Sequence, residues 1–175
     1  MPSDSQLPAK AINELQDILG ILRRGEDPEI EEIVEAREEV LERYQPIFSR
    51  DHLQNLTEEE FQSFLDFENN QHWKNIHRHK NRLTEDMGAL RDALLTLTNE
   101  ERTITDRLTE LRPPDGSPQV KYLGKAVITP ILLIHRPEEY GVWNAISQSA
   151  MKELGLWPEE ADPNSFAESY ASVNN

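Results

Sequence analysis

Two stretches of the chain gather side chains suited to holding an anion. In Val120–Leu156 (VKYLGKAVITPILLIHRPEEYGVWNAISQSAMKELGL) a short apolar turn around Leu123-Gly124-Lys125 leads straight into an apolar helix. Gly124 is expected to take a positive φ and to let a backbone or phosphate approach closely. The N–H groups of Lys125, Ala126 and Val127 would then open a helix N-terminus, where an anion is favoured. Lys121 and Lys125 flank the turn. The second stretch, His72 to Arg82 (HWKNIHRHKNR), holds four Lys/Arg, three His and no carboxylate. His72, Trp73, Lys74, Arg78, Lys80 and Arg82 combine cations with one indole, a composition able to hold phosphate and stack a base. The same composition suits a solvated helix end paired with an acidic neighbour, and the Gly124 turn equally suits a packing corner.

Other chemistries find little footing. The histidine spacing fits no common zinc site, and cysteine is absent, so thiolate chemistry, disulfides and Cys-ligated zinc go together. No G-x-S-x-G elbow, H-E-x-x-H, P-loop or G-x-G-x-x-G occurs, so neither a catalytic residue nor a cofactor or metal is expected. The Glu-rich run in residues 26–42 reads as a solvated helix face. Tyr122, Tyr140, Trp143 and Trp157 cluster in sequence and suit either core packing or a stacking pocket.

Charge constrains the partners. The 175 residues carry 18 Lys+Arg against 33 Asp+Glu, a net of −15. Bulk attraction to nucleic acid or anionic lipid is therefore opposed. The distribution is uneven: residues 1–60 hold a net of −10, residues 61–125 a net of 0 and residues 126–175 a net of −5. The near-neutral middle, which holds His72–Arg82 and the Leu123-Gly124-Lys125 turn, lies between two acidic ends. The N-terminus MPSDSQLPAK has no signal-peptide pattern and no apolar run is long enough to span a membrane, so a cytoplasmic protein without membrane contact is expected.

Helical periodicity supplies the elements that position these residues. Ile12, Leu15, Ile18, Leu19 and Leu22 form one stripe. Gly25 with Asp27-Pro28 punctuates, and a second helix is expected from Pro28 to Tyr44, giving an antiparallel acidic hairpin. Thr57-Glu58-Glu59-Glu60 is a capping box ahead of Phe61, Phe64, Leu65 and Phe67, predicted to bury three rings. Further helices are expected from Thr84, from an Asn99 cap, over residues 124–135 and 144–154, and weakly over 164–173. Asn69, Asn70 and Gln71 either contact bases or terminate the Phe-rich helix. Leu90, Leu94, Leu108, Ile131, Leu132 and Leu133 are predicted to be largely buried. The fold class is all-α: a helical bundle with a helix-hairpin-helix-like C-terminal half. Residues 1–43 form an acidic helical arm and residues 44–175 the main domain.

Leu123-Gly124-Lys125, the apolar helix through Leu133, Trp143-Asn144 and the helix running to Leu156 resemble the helix-hairpin-helix core of base-excision DNA glycosylases. The resemblance implies a phosphate-binding hairpin. Asn144 stands where that family has its aspartate, and Ala126 or Lys125 falls at the place of the lysine of lyase members. An amide is neither a base nor a counter-charge to an oxocarbenium ion, so hydrolysis is not implied. A broader resemblance covers residues 44–174 through the strings FENNQHW and YGVWNAISQSAMKELGLWP. It is to an uncharacterised α-helical domain associated with prokaryotic restriction-like proteins, N-terminal to McrB-type ATPase or nuclease modules. Together the resemblances imply a non-catalytic DNA- or RNA-recognition or adaptor module of a defence system, contacting nucleic acid through Lys121, Gly124, Lys125, Asn144 and the 72–82 island. A protein partner is expected on the arm, residues 9–44. The alternative is an acidic helical interaction subunit or DNA-mimic inhibitor that binds no nucleic acid.

Overall fold

The computed structural model describes residues 9–24, 28–66, 68–70, 73, 76–158 and 165–174. Gly25, Asp27, Phe67, Gln71, His72 and Lys74 lie outside the described residues, so the expected arm turn, the third ring of the Phe-rich helix and part of the basic island do too. All regular structure among the described residues is helical: α1 (Ala9–Arg24), α2 (Pro28–Tyr44), α3 (Arg50–Leu53), α4 (Glu58–Leu65), a 3-10 turn (Ile76–His79), α5 (Lys80–Leu83), α6 (Met87–Leu97), α7 (Ile104–Leu111), α8 (Lys125–His135), α9 (Ala145–Glu153) and α10 (Phe166–Val173). None of these helices is long and apolar enough to cross a membrane.

Local signals set most of the boundaries. At α4 the capping box forms as the sequence requires: the Thr57 hydroxyl accepts from the Glu60 N–H at 3.2 Å, and the Glu60 carboxylate accepts from the Thr57 N–H at 2.8 Å. That backbone hydrogen bond also holds the Glu60 carboxyl below its ordinary pKa. The far end of α4 is closed by amides, with Asn69 Nδ2 donating to the Ser63 carbonyl at 2.9 Å and Asn70 Nδ2 to that of Phe64. Asn69 and Asn70 therefore terminate the Phe-rich helix. Two starts differ from expectation. Thr84 closes α5 rather than opening a helix, and Asp86 caps α6 by accepting from Ala89 N–H. Thr103, not Asn99, caps α7.

The core is built around α8, whose Val127, Ile128, Thr129, Pro130, Ile131, Leu132 and Ile134 are all buried. A helix apolar on nearly every side belongs in the middle of a domain. Pro130 has no N–H for the Ala126 carbonyl, yet α8 runs through it. α10 packs on α7, α7 on α6, α6 on α3, and α2 on α8. At the α2 end Phe64 is the hub of a ring cluster, edge-on to Tyr44 at 5.4 Å and to Phe48 at 5.0 Å, with Phe61 at 6.1 Å and Trp73 at 6.0 Å. Of the six leucines and isoleucines named above, five are buried. Leu133 is only half-buried and lines a surface cleft.

The arm is not uniform. Val40 and Tyr44, on the last turns of α2, belong to the core, while Ile33 and Val34, nearer its start, are exposed. Deleting residues 1–27 is accordingly expected to leave cooperative thermal melting. Deleting residues 1–43 also removes Val40 from the core and is expected to cost a further ~1–3 kcal/mol, the scale of one buried aliphatic side chain, which denaturant melts of the two truncations would resolve.

Candidate nucleic-acid interface

The chain between α7 and α8 is pinned at both ends and pushed outward in the middle. Gln119 N–H returns to the Leu111 carbonyl at 2.9 Å, and Val120 and Leu123 are buried. Burying those two apolar residues, three apart, leaves Lys121 and Tyr122 turned toward the surface. The turn closes with Leu123 N–H on the Val120 carbonyl at 3.2 Å and Gly124 N–H on the Tyr122 carbonyl at 2.8 Å. Tyr122 takes a φ of 71°, the one positive φ at a non-glycine among the described residues. A left-handed tyrosine is strained by about 1–2 kcal/mol and persists only where its surroundings hold it.

What holds it is the basic island. Arg82 donates from Nη1 to the Tyr122 hydroxyl, and its guanidinium lies 5.3 Å from the ring centre. His79 stacks on the same ring at 4.3 Å and 29°, and Lys121 Nζ lies 5.2 Å from its centre. The Arg82 hydrogen bond, with the charges of Arg82 and Lys121, lowers the phenol's pKa below its ordinary value. Arg112 joins from the other side, donating to the Leu123 carbonyl at 3.0 Å beside Gly124. Residues some forty apart in sequence thus converge on one half-buried aromatic ring. Such a cluster of cations around a π-face is able to hold a phosphate and receive a stacked base.

Gly124 itself departs from expectation. Its φ is −103° and ψ 177°, so it is the extended N-cap of α8 and the left-handed residue is Tyr122. A Cβ added at Gly124 would meet only Arg112 Nη1 and the Tyr122 carbonyl, both at 3.9 Å, which is ordinary contact. The Val127 N–H is bonded to the Gly124 carbonyl at 2.9 Å, so it does not face outward as expected. Gly124→Ser is therefore expected to leave the melting temperature equal or slightly raised, because serine outranks glycine at an N-cap by a few tenths of a kcal/mol.

The remaining predicted site residues fall elsewhere or are already engaged. Lys125 Nζ lies 4.9 Å from the centre of the Trp143 ring. Asn144 caps α9, its Oδ1 accepting from the Ile146 and Ser147 N–H groups, both at 2.9 Å, while the Ser147 hydroxyl accepts from Asn144 N–H. Lys80 is paired with Asp66, not with the arm. Trp73 is half-buried against Phe64 and lines an apolar cleft with Leu133. Arg78 is exposed. The tyrosines and tryptophans after the turn go mainly to packing: Trp143 contacts Trp157 at 5.4 Å, Phe166 at 5.7 Å and Tyr170 at 6.4 Å.

A second polar cluster escaped the sequence reading. Arg107 is 2% exposed; its Nη1 donates to the Leu97 carbonyl and to Glu100 Oε1, both at 2.8 Å, and its Nη2 to the Tyr140 hydroxyl at 2.6 Å. The Tyr140 hydroxyl in turn donates to Glu100 Oε2 at 3.2 Å, and burial pushes its pKa up. His135 Nε2 approaches Glu100 Oε1 at 3.4 Å without forming a hydrogen bond. Burial lowers the His135 pKa; Arg136 and Arg107 act the same way, while Glu100 and the Phe48 backbone oppose them. With the folded value below the unfolded one of about 6.5, the unfolded chain takes up the proton first as pH falls. Stability contributed by neutral His135 is expected to decline as pH drops below about 6.5 and to level off beneath the folded value. His135→Gln should flatten that stretch of a melting-temperature profile. Among the described residues no group of three or more His, Asp or Glu gathers as a metal site would.

Comparison with protein-family models, curated proteins and solved structures finds no match to this chain, so the functional reading rests on the residues themselves.

Proposed function

We propose that the chain is a non-catalytic nucleic-acid recognition or adaptor module of a cytoplasmic prokaryotic defence system, with its binding face at Tyr122. The observation that carries the reading is the convergence of Arg82, His79 and Lys121 on a half-buried, left-handed tyrosine within a chain of net charge −15. Local cations against a global negative charge favour selective contact over indiscriminate adsorption. The resemblance to restriction-associated helical domains, and the helix-hairpin-helix reading of the turn into α8, agree with this face. Gly124 places the start of α8 beside Arg112, a cation suited to a phosphate, and Asn144 in place of an aspartate accords with binding without hydrolysis. The acidic arm engages protein.

Fluorescence anisotropy with labelled single- and double-stranded DNA and RNA across a salt series tests the reading. Binding to a single strand is expected, with affinity falling as salt rises by about 0.7 in log–log slope for each phosphate held. Absence of binding to every nucleic acid at low salt would sink it. The acidic interaction-subunit or DNA-mimic reading would then stand, and one observation already favours it: the exposed apolar side chains of the described residues concentrate on the acidic arm.

A further inference from the structure

Five of the six exposed large apolar side chains among the described residues lie on two helices: Ile12, Ile18 and Leu19 on α1, and Ile33 and Val34 on α2, the sixth being Ile146. On α1 they fall along one stripe at helical spacing. On α2, Ile33 is 60% exposed and opens onto an apolar cleft of about 190 Å³ floored by Val40, Leu41, Trp73 and Leu133. A second cleft of about 490 Å³ shares Ile33 and Val40 and is lined by Glu32, Glu39 and Glu68, with Arg43 paired to Glu39 at its edge. Large apolar residues concentrated in this way on a water-soluble surface mark a docking face.

Charge identifies the occupant. α2 carries seven glutamates and two arginines, a net of −5, whereas α1 carries Lys10, Arg23 and Arg24 against Glu14 and Asp17, a net of +1. Arg37 and Arg43 also line the clefts, but α2 as a whole is acidic. It calls for an amphipathic helix that is apolar on one stripe and not acidic overall, and α1 has both properties. Within one chain Ala11 of α1 is buried and Leu15 half-buried, but Ile12, Ile18, Leu19 and Ile33 are left exposed. We infer that α1 of one copy docks along the α2 clefts of a second copy and receives the reciprocal contact, forming a two-fold pair. The arrangement is self-complementary, as a two-fold interface must be. It covers both stripes at once and sets the more basic helix of each chain on the more acidic helix of the other. The inference rests on the reading that the arm engages protein, and it names that protein as this chain.

Sedimentation of the full chain over a wide concentration range tests it. The wild type is expected at twice 20.2 kDa, with association weakening by about a hundredfold or more in the doubly substituted Ile18→Glu/Leu19→Glu chain, where carboxylates replace groups to be desolvated. Both positions are exposed, so its melting temperature in dilute, dissociated solution should equal that of the wild type. Because the chain has no cysteine, a mixture of singly substituted Leu19→Cys and Ile33→Cys chains offers a second readout that does not depend on the glutamates. Oxidation is expected to give the mixed disulfide in preference to either like pair. A wild type that is monomeric throughout, a dimer untouched by the glutamates, or a preference for like pairs would each overturn the inference. If a monomeric wild type nevertheless loses a co-purifying protein when Ile18 and Leu19 are replaced, the second copy is wrong and the arm's role stands; if nothing is lost, both fail.

Discussion

Arg107→Ala is expected to lower stability by about 1–3 kcal/mol, the cost of leaving buried hydrogen-bond acceptors without their donor, because Arg107 is buried while Glu100 reaches solvent. The size follows from what is left behind. The Tyr140 hydroxyl loses its 2.6 Å donor and the Leu97 carbonyl its 2.8 Å donor, both buried, while the exposed Glu100 loses a counter-charge that water replaces in part. Arg107→Lys keeps the charge but cannot reach three acceptors from one plane, so an intermediate loss is expected. The double variant Arg107→Met/Glu100→Gln removes both charges and should recover part of the deficit. Denaturant melts of the three variants check the order. Equal loss in the single and double variants would mean that volume, and not the unpaired carboxylate, sets the cost.

The second large effect concerns binding. Arg82→Glu with Lys121→Glu reverses two of the charges around Tyr122 and is expected to cost about 1–3 kcal/mol for each contact, or roughly ten- to a hundredfold apiece in affinity for a single strand. Arg82 and Lys121 are both exposed, but they also hold the left-handed Tyr122, so a stability loss of up to about 1–2 kcal/mol is expected beside the larger loss of binding. Tyr122→Gly makes the complementary test. Glycine adopts a φ of 71° without strain, which offsets the packing lost with a half-buried ring, so stability should change little even as the stacking surface and its cation cluster are lost. A variant that melts no lower and binds worse would separate the role of this tyrosine from the needs of the fold. Unchanged binding in both variants would return the turn to a packing corner.

The legible part of this molecule was local. The α2 span from Pro28 to Tyr44, the Thr57–Glu60 box and the starts of α8 and α9 matched expectation because each is settled by contacts within about four residues. The errors arose where several capping residues compete. Thr84 and Asp86 are both good caps, and Thr84 is drawn away by Gln62, Glu58 and the end of α5. Asn99 is taken by the turn at Glu101 and by Arg50, leaving Thr103 to open α7. The candidate site was half legible. Composition singled out Lys121 and Arg82, but only the tertiary fold brings them together, and no sequence signal marks Tyr122 as left-handed. The Arg107 cluster gave no signal as a cluster, because its members come from positions 97 to 140: Arg107 and Glu100 look like ordinary surface charges, and Tyr140 stands out only among the aromatics.

The long chain separations within that cluster bear on how fast the protein comes apart. Glu100 and Tyr140 meet across forty residues, and the Tyr170 hydroxyl reaches the Gly141 carbonyl across twenty-nine. Contacts that close such loops cost chain entropy before they return any energy, so they belong to the late side of the folding barrier. Native interactions formed after the barrier govern the unfolding rate and leave the folding rate nearly unchanged. The Arg107 node therefore acts as a latch on the finished structure: Arg107→Ala should steepen the loss of folded protein with time while refolding proceeds at close to its original pace.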